Sequence, residues 1–128
     1  MAGTIVADTL QDGAGNSTAM DNAIYGSAKA WGSYAYSAGA APTLRYAYNI
    51  SSVTRSSTGT YVFAFTNSLA DANYGVVGTA FNTSGNNDLI ASIYAKSASS
   101  TTIQITYPSS LGGSGTTSDS GIDFAVFR

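Results

Sequence analysis

From Tyr25 onward the chain is a series of short β-branched and aromatic runs, each closed by Gly, Ser, Asn or Asp. That texture constrains the fold more than any other feature, because side chains that alternate in twos suit pleated strands, and nothing here repeats at helical spacing. Seven segments qualify as strands: Ala28 to Ser37, Leu44 to Val53, Thr60 to Thr66, Tyr74 to Phe81, Leu89 to Lys96, Thr101 to Tyr107 and Ile122 to Phe127. The segment nearest to a helical pattern is a turn around Asn67 to Ala72. Short strands at regular spacing without intervening helices predict an all-β fold, an antiparallel, jelly-roll-like β-sandwich of about seven strands.

The two-residue period assigns faces. Gly32, Tyr34 and Tyr36, then Leu44, Tyr46, Tyr48 and Ile50, make the expected core face, opposite Lys29, Trp31, Ser33, Arg45, Ala47 and Asn49. Tyr46, Tyr48, Phe63, Phe65 and Phe127 are expected in the core. Trp31 shares a face with Arg45 if their strands pair. It fits either a second layer of core or a subunit contact, where Trp and Arg are enriched, so Trp31 and Arg45 are the candidate oligomer interface. The loops Asn82 to Asp88 and Ser109 to Ser120 are polar and rich in glycine and are expected to be exposed.

Residues 1–24 read differently. Ile5-Val6 is one short apolar patch, followed by the polar stretch Gln11 to Thr18. This predicts an extended N-terminal arm, with a short strand near Thr4 to Thr9, ahead of a sandwich domain at 25–128. The stretch has neither a basic n-region nor a long apolar h-region, and no later run approaches the roughly 20 residues that cross a bilayer. Neither cleaved secretion nor membrane insertion is expected.

The residue inventory narrows the chemistry. The chain has no His, Cys or Glu, so a serine nucleophile has only Asp, Tyr, Lys29 or Lys96 as a base, none at a recognisable spacing. No catalytic, cofactor or metal residues are therefore assigned, and the protein is expected not to be an enzyme. Asp119 and Asp123 fall on one face of an extended chain but read as loop and strand-edge aspartates rather than a glycosidase pair. Asp12 to Asn16 resembles a calcium loop without the carboxylates to close a shell, and Leu111 to Gly115 lacks the lysine and helix of a phosphate cradle. Sequons at Asn16, Asn49 and Asn82 read as incidental to an Asn- and Ser-rich composition. Five basic residues against seven acidic ones give no cationic field, so nucleic acid is not an expected partner. Charged residues are only 9% of the chain, so its surface must be built from Ser, Thr, Asn, Gly and Tyr. Such surfaces suit proteins that pack in many copies.

Ala30-Trp31, then Leu44 to Thr54 (LRYAYNISSVT), Thr58-Gly59-Thr60-Tyr61, Asp71 to Tyr74 (DANY) and the closing Phe124 to Phe127 form an ordered set of motifs. The set resembles a domain widespread in tailed bacteriophages, whose pattern reads approximately AWVNFNGTG, IRAS-x-NVSSIT, NGTGDYTVNFT and MPDANY. Two departures stand out: Gly32 to Gly39 replaces most of the first motif, and Ala70 replaces the proline of the last. The resemblance implies a non-enzymatic virion structural protein, assembled in the bacterial host cytoplasm and trimeric. Its size suits a capsid-decorating or knob (cement-like) protein bound to the major capsid protein. The alternative is a tail-fibre or short adaptor component, attached to tail components, whose outer loops bind a host surface glycan. In either case the arm is the expected attachment element, acting through Ile5, Val6 and Leu10.

Overall fold

The computed structural model describes residues 3, 7–19, 23, 26–36, 42–81, 89–107 and 116–128. The strands are β1 (Thr9–Gln11), β2 (Ser17–Ala19), β3 (Ala28–Ala35), β4 (Thr43–Tyr48), β5 (Ile50–Ser57), β6 (Thr60–Phe65), β7 (Gly75–Phe81), β8 (Ile90–Ser97), β9 (Ser100–Tyr107), β10 (Thr116–Thr117) and β11 (Gly121–Phe127). All pairings are antiparallel. One sheet runs β4-β3-β11-β7. In the other, β8, β9, β6 and β5 lie side by side, and β10 extends the β6 edge of β9. The two sheets pack as a β-sandwich.

The core is the seam between the sheets. Ala30 and Tyr34 from β3 and Ile122, Phe124 and Val126 from β11 meet Tyr61, Phe63 and Phe65 from β6 and Ile103 and Ile105 from β9. Aromatic rings bridge the layers: Tyr34 lies 4.7 Å from Tyr61, and Phe63 lies 4.5 Å from Phe124, between ring centroids. Tilted pairs at these distances add about 0.5–1.5 kcal/mol each beyond the area they bury. Phe124 fits because its neighbours across the sheet, Gly32 and Gly78, have no side chain; a Cβ on either would sit 3.2 Å from it.

The segment Leu44 to Val53 is two strands rather than one. Asn49 adopts a φ of 55°, which an Asn tolerates better than most residues, and the chain leaves the first sheet at β4 and enters the second at β5. The Asn49 side chain holds the crossover, donating to the carbonyls of Lys29 (3.0 Å) and Asn67 (3.1 Å) and accepting from the Asn67 amide (2.7 Å). This sequon asparagine is therefore a structural clamp.

A bulge makes the second departure. The register of β3 against β4 shifts between Ser33 and Tyr34, so that Tyr46 faces Ser33 and Tyr48 faces Trp31. The extra residue, Arg45, carries both tyrosines out of the core and onto the outer face. Phe127, also expected in the core, lies on the outer face as well, whereas Phe63 and Phe65 are buried as expected.

Within the arm, β1 and β2 form a hairpin that pairs with no other strand among the described residues. Its turn is Asp12 to Asn16. Asp12 Oδ1 accepts from the amides of Ala14 and Asn16, Oδ2 accepts from Asn16 Nδ2, and Gly15 takes a φ of 87°. Those bonds, Asn16's first, hold the Asp12 carboxyl below its usual range. The stretch from Asn67 to Ala72 is irregular, tied back by Leu69 donating to the Ala98 carbonyl.

Candidate functional site

The outer faces of the two sheets differ in chemistry. On the β8-β9-β6-β5 sheet, the outward positions of β5, β6 and β9 include Ser52, Thr54, Val62, Thr102, Gln104 and Thr106, largely hydroxyl-bearing, with the exposed Ile90 of β8 beside Thr106 at the edge. On the β4-β3-β11-β7 sheet, the register lines up Tyr48, Trp31, Ala125 and Val77 in one row across all four strands. The adjoining row is Tyr46, Ser33, Asp123 and Thr79, with Phe127 beyond the first. Trp31 is 43% exposed, Tyr46 75%, Tyr48 57%, Val77 60% and Phe127 36%.

At about 150–250 Å² per aromatic side chain, the four exposed rings with Val77 leave on the order of 500 Å² of apolar surface facing water. That is the upper end of the largest patch on an ordinary monomer, about 300–600 Å² and often functional. A row spanning every strand of one sheet, with none like it on the other, makes this face the candidate functional surface.

Arg45 lies at the same face. Phe81 packs over Gly121, where a Cβ would fall 2.3 Å from the ring, and the Arg45 guanidinium sits 5.8 Å from the centroid of that ring. Trp31 and Arg45 therefore share the outer face, as their parity predicted, and Trp31 is outside the core. Sequence reasoning missed Tyr46, Tyr48, Val77 and Phe127, because a strict alternation carried through the bulge sends the two tyrosines inward. Of the expected attachment residues, Leu10 is exposed on β1, while Ile5 and Val6 lie outside the described residues.

Three further exposed apolar side chains lie on β8: Ile90, opposite the outward Thr106; Ile93, opposite the inward Ile103; and Tyr94, the extra residue of a register shift between Ile93 and Ala95. Among the described residues β8 pairs with β9 alone and forms an edge of the sheet.

The structure separates Asp119 and Asp123. Asp123 is exposed on the outer sheet face between Ser33 and Thr79. Asp119 is the hub of a polar latch. Its Oδ1 accepts from Arg55 Nε (2.8 Å), the Gly59 amide (2.9 Å) and the Tyr61 hydroxyl (2.6 Å), and its Oδ2 accepts from Arg55 Nη2 (2.8 Å). Arg55 foremost, with Tyr61 and Gly59, holds the Asp119 carboxyl down at about 2, against the opposing effect of burial. Burial and the carboxylate in turn push the Tyr61 phenol up. The loop around Asp119 was expected to be exposed, yet its described end is drawn in: Ser120 is buried and Asp119 anchors the β5–β6 turn. The remaining expected loop positions, 82–88 and 109–115, lie outside the described residues, as does the glycine cluster at 111–115.

No family model, no curated protein and no solved structure matches this chain in comparisons with known proteins.

Proposed function

We propose that this protein is a structural component of a bacteriophage particle, a non-enzymatic, trimeric β-sandwich that decorates the virion surface. The observation that carries the reading is the contrast between the two outer sheet faces, one lined with hydroxyls and the other with Trp31, Tyr46, Tyr48, Val77 and Phe127. A sandwich that keeps a row of large apolar side chains across all four strands of one sheet in water has a packing partner for that face. The phage-domain motifs supply the context. They fall on β3, β4, the β5–β6 turn and the approach to β7, which build the core and shape the face. The latch at Asp119 ties down the turn: its carboxylate is engaged by four donors, three on Oδ1 and one on Oδ2.

The test is location. A tagged copy expressed during phage growth is expected to co-purify with particles and to be labelled on the capsid by immunogold electron microscopy. Label confined to the tail would replace decoration by a fibre or adaptor role. Retention on host polysaccharide without incorporation into particles would replace it by receptor binding. Absence from particles together with no glycan binding would remove the phage reading.

A further inference from the structure

We infer that a second copy of this chain pairs with the open edge of β7, strand against strand and antiparallel about Gly78, so that two β4-β3-β11-β7 sheets join into one. The inference goes beyond the proposed function, which names no strand as a joint between copies.

The contrast among the sheet edges carries the argument. An edge strand presents a row of unpaired backbone groups, and proteins that stay apart blunt such rows with bulges, charges or proline. Among the described residues four long strands lie at edges: β4, β5, β7 and β8. β4 carries the bulge at Arg45, β5 two register shifts and Arg55, and β8 the bulge at Tyr94 and Lys96. β7 has none of these devices. Its seven residues, GVVGTAF, include no charge and no proline, and they pair with β11 from Gly75 opposite Phe127 to Phe81 opposite Gly121 without a shift. Gly75, Val77, Gly78 and Thr79 are exposed. A regular, uncharged, exposed edge is a template for one more strand.

The strand is its own complement. Pairing about Gly78 sets Val77 opposite Thr79, Val76 opposite Ala80 and Gly75 opposite Phe81, with the whole strand in register and no like charges facing. Gly75 opposite Phe81 repeats a pairing the protomer already uses twice, at Phe127 with Gly75 and at Phe81 with Gly121. About six to eight backbone hydrogen bonds close across such a joint. Opposed residues share a face, so the row Tyr48, Trp31, Ala125 and Val77 continues into Thr79 of the second copy, and both aromatic faces look to the same side.

The flank beneath this edge agrees. The sheets are stacked so that β7 lies against β8 at this side of the sandwich and β4 against β5 at the other. Ile93 on β8 faces inward, opposite Ile103, yet is 39% exposed at the open side of the sandwich, and the inward Val76 on β7 is partly buried. Joining two β7 edges sets the two flanks side by side and draws these apolar side chains out of water. The bulge at Tyr94 turns β8 away from strand pairing, so at its level side chains make the contact.

Light scattering of the intact chain tests this. Twofold pairing gives an even number of copies: two, or six where the threefold contact of the proposed function also forms. One copy or three overturns the inference. Val77→Lys/Thr79→Lys sets lysine against lysine at the outward pairs on either side of Gly78 and is expected to halve the mass, whereas Val77→Lys/Thr79→Glu sets opposite charges there and is expected to keep it. Both positions are exposed, and thermal melts check that each variant folds. A double-lysine variant that keeps the parental mass overturns the inference, as does loss of pairing in the variant of opposite charges. Because the chain has no cysteine, Val77→Cys and Thr79→Cys provide a second readout without added charge. Mixed and oxidised, they are expected to form the heterodisulfide faster than either forms its own homodimer; preferential homodimers of either variant overturn the pairing about Gly78. A paired chain that never enters phage particles would remove the proposed function and leave this inference standing, and a trimer found on particles would do the reverse.

Discussion

Asn49 shows how much a single backbone angle decides in this molecule. At φ 55° it turns the chain from β4 into β5, and its amide ties that turn to Lys29 and Asn67. Replacement by alanine removes three hydrogen bonds and strains the backbone, at a cost of about 2–4 kcal/mol. Replacement by glycine relieves the strain alone and should be milder by about 1 kcal/mol; urea titration of the two variants resolves the difference. Gly59 is stricter. It combines a φ of 65° with a Cβ position only 2.7 Å from the Ile105 carbonyl oxygen and the Ser118 amide nitrogen, all backbone. Gly59→Ala is expected to destabilise by about 3 kcal/mol or more in the same titration, since neither obstacle is a side chain that can swing away. The Thr58-Gly59 turn was legible from its residue types. The left-handed Asn49 was not, because the apolar alternation of Leu44 to Val53 continues through it without a break, and only the tolerance of Asn for positive φ hints at the corner.

At the scale of elements, the strand positions were largely legible. Thr60–Phe65, Gly121–Phe127 and Ser100–Tyr107 lie within a residue of where β-branched and aromatic alternation puts them, since these are half-buried strands whose inward residues are the core. The face of β4 was not legible, because the bulge at Arg45 follows from fitting β4 to β3 and leaves no mark on β4 itself. The Asp119 latch was equally hidden: it joins residues 64 positions apart, and its signal in the sequence is one aspartate in a serine-rich loop. It has a measurable consequence. The folded-state pKa of Asp119, about 2, lies below the unfolded value near 3.9. The stability it contributes is therefore present above pH ~4 and is lost as the pH falls toward ~2, an effect of at most about 2 kcal/mol. Asp119→Asn should lower stability at pH 7 by about 2–3 kcal/mol, because Arg55 loses its counter-charge and Arg55 Nη2 meets an amide NH2 where it had an acceptor. The gap between parent and variant should narrow between pH 4 and 2. A constant gap in melting experiments across that range would show that the latch does not titrate with folding.

At the scale of the whole molecule, the proposed function gives folding and attachment to different parts. The sandwich takes its cohesion from the aromatic seam between β3, β11, β6 and β9, to which the β1–β2 hairpin contributes no strand pairing and no buried core residue among those described. Its turn is self-contained, closed by Asp12 on its own amides and on Asn16. Leu10 presents an exposed apolar side chain on this hairpin, in keeping with an attachment element whose partner lies outside the protomer. Deleting residues 2–23 should then leave the melting temperature of the sandwich within a few degrees of the parent and leave the oligomer mass at the same number of copies, while particle binding falls by tenfold or more. Calorimetry, light scattering and a particle co-sedimentation assay read these three quantities separately. A deletion that lowers the melting temperature sharply would make the hairpin part of the fold. Particle binding that survives the deletion would instead move attachment to the sandwich, and an oligomer that dissociates on deletion would make the arm, rather than the sandwich, the element that joins the copies.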